Sequence, residues 1–253
     1  MSVSVAIITL NEEANLARTL QSVTWADEIV VVDSGSTDRT LEIARGFGAQ
    51  VCPQAWLGFG AQKNFALRKC NSEWILSLDA DEEVSPELAA SVQALLAGSP
   101  EFAAYSVARR NLFLGKWLRR GGMYPDRKLR LIRNGKAWFE ERPVHEDIQY
   151  SGAAGQLRGD LIHHAYPTVA GYVEHLQRYS TLGAQTVKPH GAFWFAAQTL
   201  LNPYATFLYN YGIRGGFLDG RAGFLYHAYH SAYISWKYAK ARQLQIAGHT
   251  HQT

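Results

Sequence analysis

Two carboxylates set two residues apart, Asp79 and Asp81, stand at the end of the apolar run Trp74-Ile75-Leu76-Ser77-Leu78 and just ahead of Glu82 and Glu83. An apolar run of that length bounded by polar residues reads as a buried strand. Residues two apart on extended backbone point the same way, and hard oxygen ligands of this kind suit Mg²⁺ or Mn²⁺ held jointly with a substrate's phosphates. The chemistry is that of a metal and diphosphate site at the carboxyl edge of a sheet, where open α/β sheets bind ligands. The triplet alone also fits a solvated acidic turn, so the elements around it must decide.

Those elements alternate. Strands are expected over Val3 to Thr9, Glu28 to Val32, Gln50 to Cys52 and Trp74 to Leu78, with helices over Glu12 to Gln21, Thr37 to Phe47 and Ala61 to Lys69. The alternation implies βαβ units and a mostly parallel sheet. A further helix is expected over Pro86 to Leu96, and Gly152 to Gly159 reads as the most loop-like stretch. Thr9-Leu10-Asn11-Glu12 closes the first strand, where Asn11 can cap the next helix and Glu12 and Glu13 suit its positive end. Asp33-Ser34-Gly35-Ser36-Thr37-Asp38 closes the second. Asp33 lies at the strand's last position, where a buried carboxylate is costly unless it meets a ligand or a donor.

The segments AIITLNEE, VVVDSGSTDRT and WILSLDADEEVSP, in this order and spacing, resemble the family 2 glycosyltransferases. The resemblance implies the GT-A fold, a Rossmann-like nucleotide-diphospho-sugar transferase sheet. It implies that Asp33 contacts the nucleotide base, and that Asp79 and Asp81 bind the ribose and a metal-bridged diphosphate. Ser34 departs from the pattern, since many members carry a second Asp there. Gln62-Lys63-Asn64, Lys128-Leu129-Arg130-Leu131-Ile132-Arg133, Arg142-Pro143-Val144-His145-Glu146 and Arg214-Gly215-Gly216-Phe217-Leu218-Asp219-Gly220 look like the bacterial lipopolysaccharide core β-1,4-glucosyltransferase subgroup. That subgroup acts at the inner face of the cytoplasmic membrane on a lipid-linked oligosaccharide.

Inverting transfer needs a base for the acceptor's proton and a metal for the leaving diphosphate. By resemblance the base is Glu146; Asp147 is the other candidate, and His145 could orient it or help hold the metal. Any of the three could instead be a surface partner of Arg142. The donor side comprises Thr9, Glu12, Asp33, Lys63 and Asp79, and the metal falls to Asp81 with Asp79. Lys63 could reach the diphosphate or be an ordinary surface lysine on an amphipathic helix. His163 and His164 follow a strand and read as structural. Arg127, Lys128, Arg130 and Arg133 could face a phosphorylated acceptor or alternate along a half-exposed strand.

Composition adds limits. The 253 residues suffice for one large domain with an appendage, and 47% hydrophobic and 19% charged residues exclude general disorder. Cys52 and Cys70 form no C-x-x-C pair, so no disulfide framework and a reducing compartment are expected. Val3 to Leu10 is too short for a signal segment and lacks a basic leader.

Composition shifts near Pro189, which divides the chain into a catalytic domain, 1–188, and a helical, basic and aromatic segment, 189–253. Between Pro189 and Arg242 lie 14 of the 31 aromatics, with five cations (Arg214, Arg221, Lys237, Lys240, Arg242) against Asp219 alone. No residue between Lys188 and Arg214 is formally charged. Gln198, Asn202, Pro203 and Asn210 interrupt that run, so an interfacial segment is expected in preference to a span. Leu225, Tyr229, Tyr233 and Trp236 recur at helical spacing ahead of Lys237, Lys240 and Arg242, which suits a helix on an anionic leaflet or, instead, a stripe packed internally or in a dimer.

The expectation is a metal-dependent, inverting hexosyltransferase using a UDP-sugar such as UDP-glucose. Its acceptor is a lipid-linked oligosaccharide of the lipopolysaccharide inner core, met at the cytoplasmic face of an anionic membrane. Another cell-envelope glycosyltransferase is the near alternative. A non-catalytic nucleotide-sugar sensor or a nucleic-acid module is the alternative of a different class. Acidic strand ends repel a polyanion, so no nucleic acid is expected as partner.

Overall fold

The computed structural model describes residues 1–141, 148–188 and 191–250. The chain divides into two compact units, Met1–Arg110 with Asp126–His164, and Asn111–Pro125 with Ala165–Thr253. The composition break at 188/189 falls inside the second unit.

The first unit is built on β1 (Val3–Thr9), β2 (Glu28–Asp33), β3 (Gln50–Pro53) and β4 (Trp74–Asp79), all parallel, in the order β3-β2-β1-β4. Beyond β4 the sheet continues with β8 (Asp126–Arg133), β6 (Ala104–Phe113), β11 (Gly155–Tyr166) and β5 (Glu82–Val84), and the short β7 (Lys116–Trp117) pairs with the end of β6. The β4–β8, β8–β6 and β11–β5 pairs are antiparallel. β9 (Ala137–Phe139) and β10 (Ile148–Tyr150) form a separate antiparallel pair.

Side chains alternate between the two faces of the parallel block, and each face has its own core. Val5, Ile7, Val31, Leu76 and Leu78 join Leu16 and Leu20 of α1 (Leu16–Gln21) and Ala44 of α2 (Thr40–Gly46) on one side. Ala6, Val30, Val32 and Ile75 join Ala66 and Leu67 of α3 (Phe59–Lys69) on the other. A sheet covered on both faces needs near-continuous apolar strands, and β1 and β4 read as apolar runs broken within only by Ser4 and Ser77.

Three local expectations differ from the structure. The first helix starts at Leu16, not Glu12: Asn11 has a left-handed backbone, φ 55°, and residues 12–15 form a turn closed by Asn15 N to Glu12 O at 3.0 Å, with Asn15 at the cap. Asn11 therefore does not cap it; its side-chain oxygen accepts from Thr37 N at 2.8 Å. The second helix starts at Thr40, whose N–H bonds Asp38 Oδ1 at 3.0 Å. Gly155 and Gly159 lie in β11 and not in a loop. A Cβ at Gly155 would stand 2.3 Å from the Tyr105 ring, and one at Gly159, φ 83°, 2.3 Å from Leu88 N. These glycines permit close packing of the strand. By contrast α4 (Pro86–Ala97) follows its sequence signals, with Ser85 accepting from Leu88 N and Pro86 in the first turn.

In the second unit, α5 (Val169–Ala184) packs on α8 (Gly220–Thr250). Phe113, Leu118, Tyr172 and Leu176 form the core there, with Leu225, Tyr229, Tyr233 and Trp236 packed against it. The aromatic stripe is therefore half-buried against this core, which favours the internal-packing alternative over a leaflet contact. Lys240 follows it inward, donating to Gln177 O at 2.9 Å and Ser180 Oγ at 2.7 Å. Residues 192–213 run as one helix, α6 (Ala192–Ala196) and α7 (Asn202–Phe207) each followed by a π-helical stretch, Ala197–Leu201 and Leu208–Ile213. Among the described residues no helix is long and apolar enough to cross a membrane.

Candidate active site

Strand register assembles the site. Thr9 pairs with Asp33, Ile8 with Asp79, and Asp33 with Pro53, so β1, β2 and β4 deliver Thr9, Asp33 and Asp79 to one carboxyl edge. The loops leaving this edge are stitched together. Asn11 N donates to Ser36 Oγ at 2.8 Å, Glu12 N to Thr40 Oγ1 at 2.7 Å, and Arg39 N to Glu13 Oε2 at 3.0 Å. Glu13 thus serves the second helix's positive end, not the first's.

Asp33 is buried, and its cost is met by donors of its own turn: Gly35 N and Ser36 N each reach Oδ2 at 2.9 Å, and Ser36 Oγ donates to Oδ1. Fixed in this way, the carboxylate holds the loop in a single shape. Two buried polar atoms nearby make no hydrogen bond among the described residues, Thr9 Oγ1 and Gln62 Oε1. The Gln62 amide nitrogen already donates to Ser34 Oγ at 3.0 Å and Gln54 O at 3.1 Å. Unpaired buried polar atoms at a ligand edge are the groups a bound molecule would satisfy.

Three consecutive residues of α3 each hold a different part of the edge. Gln62 braces the Ser34 loop. Lys63 is buried, and its Nζ lies 2.8 Å from Asp79 Oδ1, so it is no surface lysine. Asn64 pairs with the Phe139 backbone through two bonds, at 2.9 and 2.8 Å. Gly60 is tight against the chain just beyond, where a Cβ would stand 2.2 Å from Glu140 O. The helix thus anchors the chain shortly before the Arg142-Pro143-Val144-His145-Glu146-Asp147 segment. His145, Glu146 and Asp147 lie outside the described residues.

Asp79 and Asp81 have different surroundings. Asp79 Oδ2 accepts from Arg130 at 2.9 Å while Lys63 holds Oδ1. Although burial alone would raise its pKa, these two cations hold the carboxyl well below the usual range. Arg130 also pairs with the fully buried Glu82 at 2.6 Å, Glu82 with Arg109 at 3.1 Å, and Arg109 with Asp126 at 2.7 Å. Asp79, Glu82 and Asp126 thus face Lys63, Arg130 and Arg109, three charges against three. Asp81 sits on the turn that follows, 3.2 Å from His163 Nε2. Glu12 is close enough to feel it: burial first, then repulsion from Asp81, Asp38 and Asp79, raise the Glu12 pKa, against a hydrogen bond from Asn15 that lowers it.

Among the described residues no three His, Cys, Asp or Glu side chains form a ready-made metal cage. The donor set still fits a hard divalent ion shared with a diphosphate, since such ions keep only one or two carboxylates and take the rest of their shell from phosphate and water. Asp81 would be its protein ligand; both Asp79 oxygens are engaged by cations.

Arg130, Glu82 and Arg109 were not picked out by sequence as members of this edge. Arg130 alone carried a signal, a charge set between Leu129 and Leu131-Ile132, where burial demands a partner. His163, expected to be structural, lies 3.2 Å from Asp81 Oδ2, and His164 pairs with Glu83 at 2.9 Å. Of the basic strand, Lys128 pairs with Asp126 at 3.2 Å and Arg133 with Glu73 at 2.9 Å.

A model of glycosyl transferase family 2 matches residues 4–172. The chain is 34% identical over 232 residues, 89% of its length and 86% of the relative's, to the lipopolysaccharide core biosynthesis glycosyltransferase LpsC of Rhizobium meliloti (strain 1021). It is 29% identical over 256 residues, 96% of its length and 88% of the relative's, to an uncharacterized glycosyltransferase of Rickettsia typhi. The crystal structure of S. aureus TarS 1-349 is similar over 97% of this chain and 92% of that one, at 15% identity and a TM-score of 0.49. With its α/β sheet of GT-A type, the chain belongs to glycosyl transferase family 2.

Proposed function

We propose that this enzyme transfers a hexose, glucose from UDP-glucose, to a heptose of the lipopolysaccharide inner core with inversion at the anomeric carbon. The observation that carries the donor half is the register of β1, β2 and β4, which lines up Thr9, Asp33 and Asp79 beside Asp81. Thr9 Oγ1 and Gln62 Oε1, both buried and unbonded among the described residues, offer a donor and an acceptor to the nucleotide. Asp33 presents the base-side loop, and Asp79 with Lys63 meets ribose and diphosphate. A divalent ion at Asp81, when bound, supplies Lewis-acid stabilisation of the leaving diphosphate.

The acceptor hydroxyl attacks the anomeric carbon as a carboxylate removes its proton and the glycosyl–diphosphate bond breaks. Glu146 takes that proton, with Asp147 the competing assignment and His145 in support. The acceptor half draws support from the likeness to LpsC, whose name places it in lipopolysaccharide core biosynthesis. It implies a lipid-linked acceptor met at the cytoplasmic face of an anionic membrane. The same donor edge also suits transfer to another cell-envelope polysaccharide.

A panel of nucleotide sugars, assayed for transfer with and without EDTA and followed by NMR of the product linkage, tests this reading. UDP-glucose turnover that EDTA abolishes, giving a β linkage, is expected. Turnover indifferent to EDTA, or a retained configuration, rejects it. Replacement of Glu146 by Gln is expected to cost at least about a hundredfold in turnover with donor binding nearly intact. If Asp147→Asn is the inactive variant while Glu146→Gln works normally, the two roles are exchanged.

A further inference from the structure

The helix over residues 192–213 is amphipathic in the inverted sense. Its polar residues turn toward the protein: Asn202 donates to Gln198 Oε1 at 2.8 Å, Thr206 donates to Asn202 Oδ1 at 3.3 Å, and Thr199 Oγ1 is buried. From residue 200 its exposed positions recur as a pair every four residues, at 200 and 201, 204 and 205, 208 and 209, and 212 and 213, after single exposed positions at 193 and 196. Between 193 and 213 every exposed position is Phe, Leu, Tyr, Ile, Ala or Gly. Phe193 is 88% exposed, Ile213 80%, Leu200 68%, Leu201 66% and Tyr204 65%. The amides that break the apolar run in sequence therefore do not break the exposed face.

A stripe of this kind on a protein surface marks a contact with something apolar. The charge at its end identifies what. After Ile213 the chain enters 214–221, where Phe217 and Leu218 are exposed, and the loop 114–122 lies against it through Gly121 N to Arg214 O at 3.1 Å. Arg119, Arg120, Arg214 and Arg221 are exposed there. The only carboxylate in either stretch, Asp219, is buried and accepts from Arg119 N and Arg120 N at 2.9 Å each. What reaches solvent is an apolar stripe ending in guanidinium groups, the complement of acyl chains beneath anionic headgroups.

We infer that the 193–218 face is the membrane-binding surface of this protein, lying in the plane of one leaflet with its arginine rim among anionic lipid phosphates. It takes the place of the Tyr229 and Tyr233 stripe, which packs half-buried against the core of the second unit, and it rests on the lipid-linked acceptor reading above.

Flotation of the full chain with phosphatidylglycerol and phosphatidylethanolamine vesicles at low salt tests it. Wild type is expected to float, the Leu200→Glu/Ile213→Glu pair to fall to background, and Leu244→Glu, at an exposed apolar position of α8, to float like wild type. Transfer to a soluble, delipidated acceptor fragment is expected to be unchanged in the pair. Wild type that stays at the bottom, a pair that floats as well as wild type, or Leu244→Glu lost equally overturns the assignment. A wild type that ignores vesicles and sediments as a dimer, which the pair dissociates, gives the face to a second copy instead. Protein that floats yet turns over no nucleotide sugar keeps the surface and loses the transferase reading; protein that transfers but never floats does the reverse.

Discussion

The strand-end site and the 192–213 helix solve opposite problems of polarity. At the strand ends, charges are drawn inward and matched: Asp79, Glu82 and Asp126 against Lys63, Arg130 and Arg109. On the helix, amides and hydroxyls are drawn inward and hydrocarbon is left in water. Each region is then incomplete in its own way. The first keeps an acidic remainder, Asp81 with Glu12, that a cation would neutralise; the second keeps an apolar stripe that a hydrocarbon phase would cover. A fold stable on its own terms has no need of either excess, and the proposed ion and the proposed leaflet contact would each use one of them.

The largest effect expected belongs to the acidic remainder. Asp81→Asn should cost at least about a hundredfold in turnover, since the proposed metal role would lose its carboxylate, while the thermal midpoint stays near that of wild type. Steady-state kinetics beside a melting curve check both halves. Retained transfer would remove Asp81 from the metal and leave the contrast between the two carboxylates without a chemical meaning.

Asp79 should behave differently, and this sharpens the comparison. Asp79→Asn strips Lys63 of a carboxylate 2.8 Å away, so stability should fall by about 2 kcal/mol, below the cost of breaking a fully buried pair because this side chain keeps 29% exposure. Denaturant unfolding reads this directly. The sign in pH follows from the depressed pKa: the stabilisation is complete at neutral pH and is lost only as pH falls below the ordinary carboxylate range. An Asp79→Asn protein as stable as wild type would mean that the ion network is not structural.

The sequence made the edge legible because strand ends and D-x-D lie along the chain, where local pattern reaches them. It left the network hidden because Arg130 meets Asp79 and Glu82 from about fifty positions away, a pairing set by the antiparallel β4–β8 register. The C-terminal segment misled for a similar reason. Periodicity found the Leu225 to Trp236 stripe but could not say what it faces; α5 supplies the answer. Gln198 and Asn202 looked like interruptions of an apolar run, whereas in three dimensions they bond to each other on the covered side. Sequence spacing records that a face exists, and only the packing partner tells which face is turned outward.

The second unit's basic helix gives a smaller test. Lys240 donates to Gln177, Ser180 and Thr181, so Lys240→Ala should lower stability by about 1 kcal/mol and leave vesicle binding unchanged. Release from anionic vesicles by this substitution alone would return the leaflet contact to α8.

The smallest effect is at Glu12, and it has the opposite sign. Burial and the neighbouring carboxylates raise its pKa, so its ionised form is held at a cost in the folded chain. That cost is present at neutral pH and disappears as pH falls through the raised pKa, since the folded state then binds the proton more readily than the unfolded one. Glu12→Gln should therefore stabilise the protein by a few tenths of a kcal/mol at pH 7, with the gain vanishing under acid conditions. In the proposed function the same substitution removes negative potential from the metal-bound donor's site, so the donor KM should rise while kcat changes little. Stability and donor affinity moving in opposite directions is the signature of a charge kept for a ligand. If both fell together, Glu12 would be an ordinary loop brace acting through its bond to Asn15, and the acidic remainder would shrink to Asp81 alone.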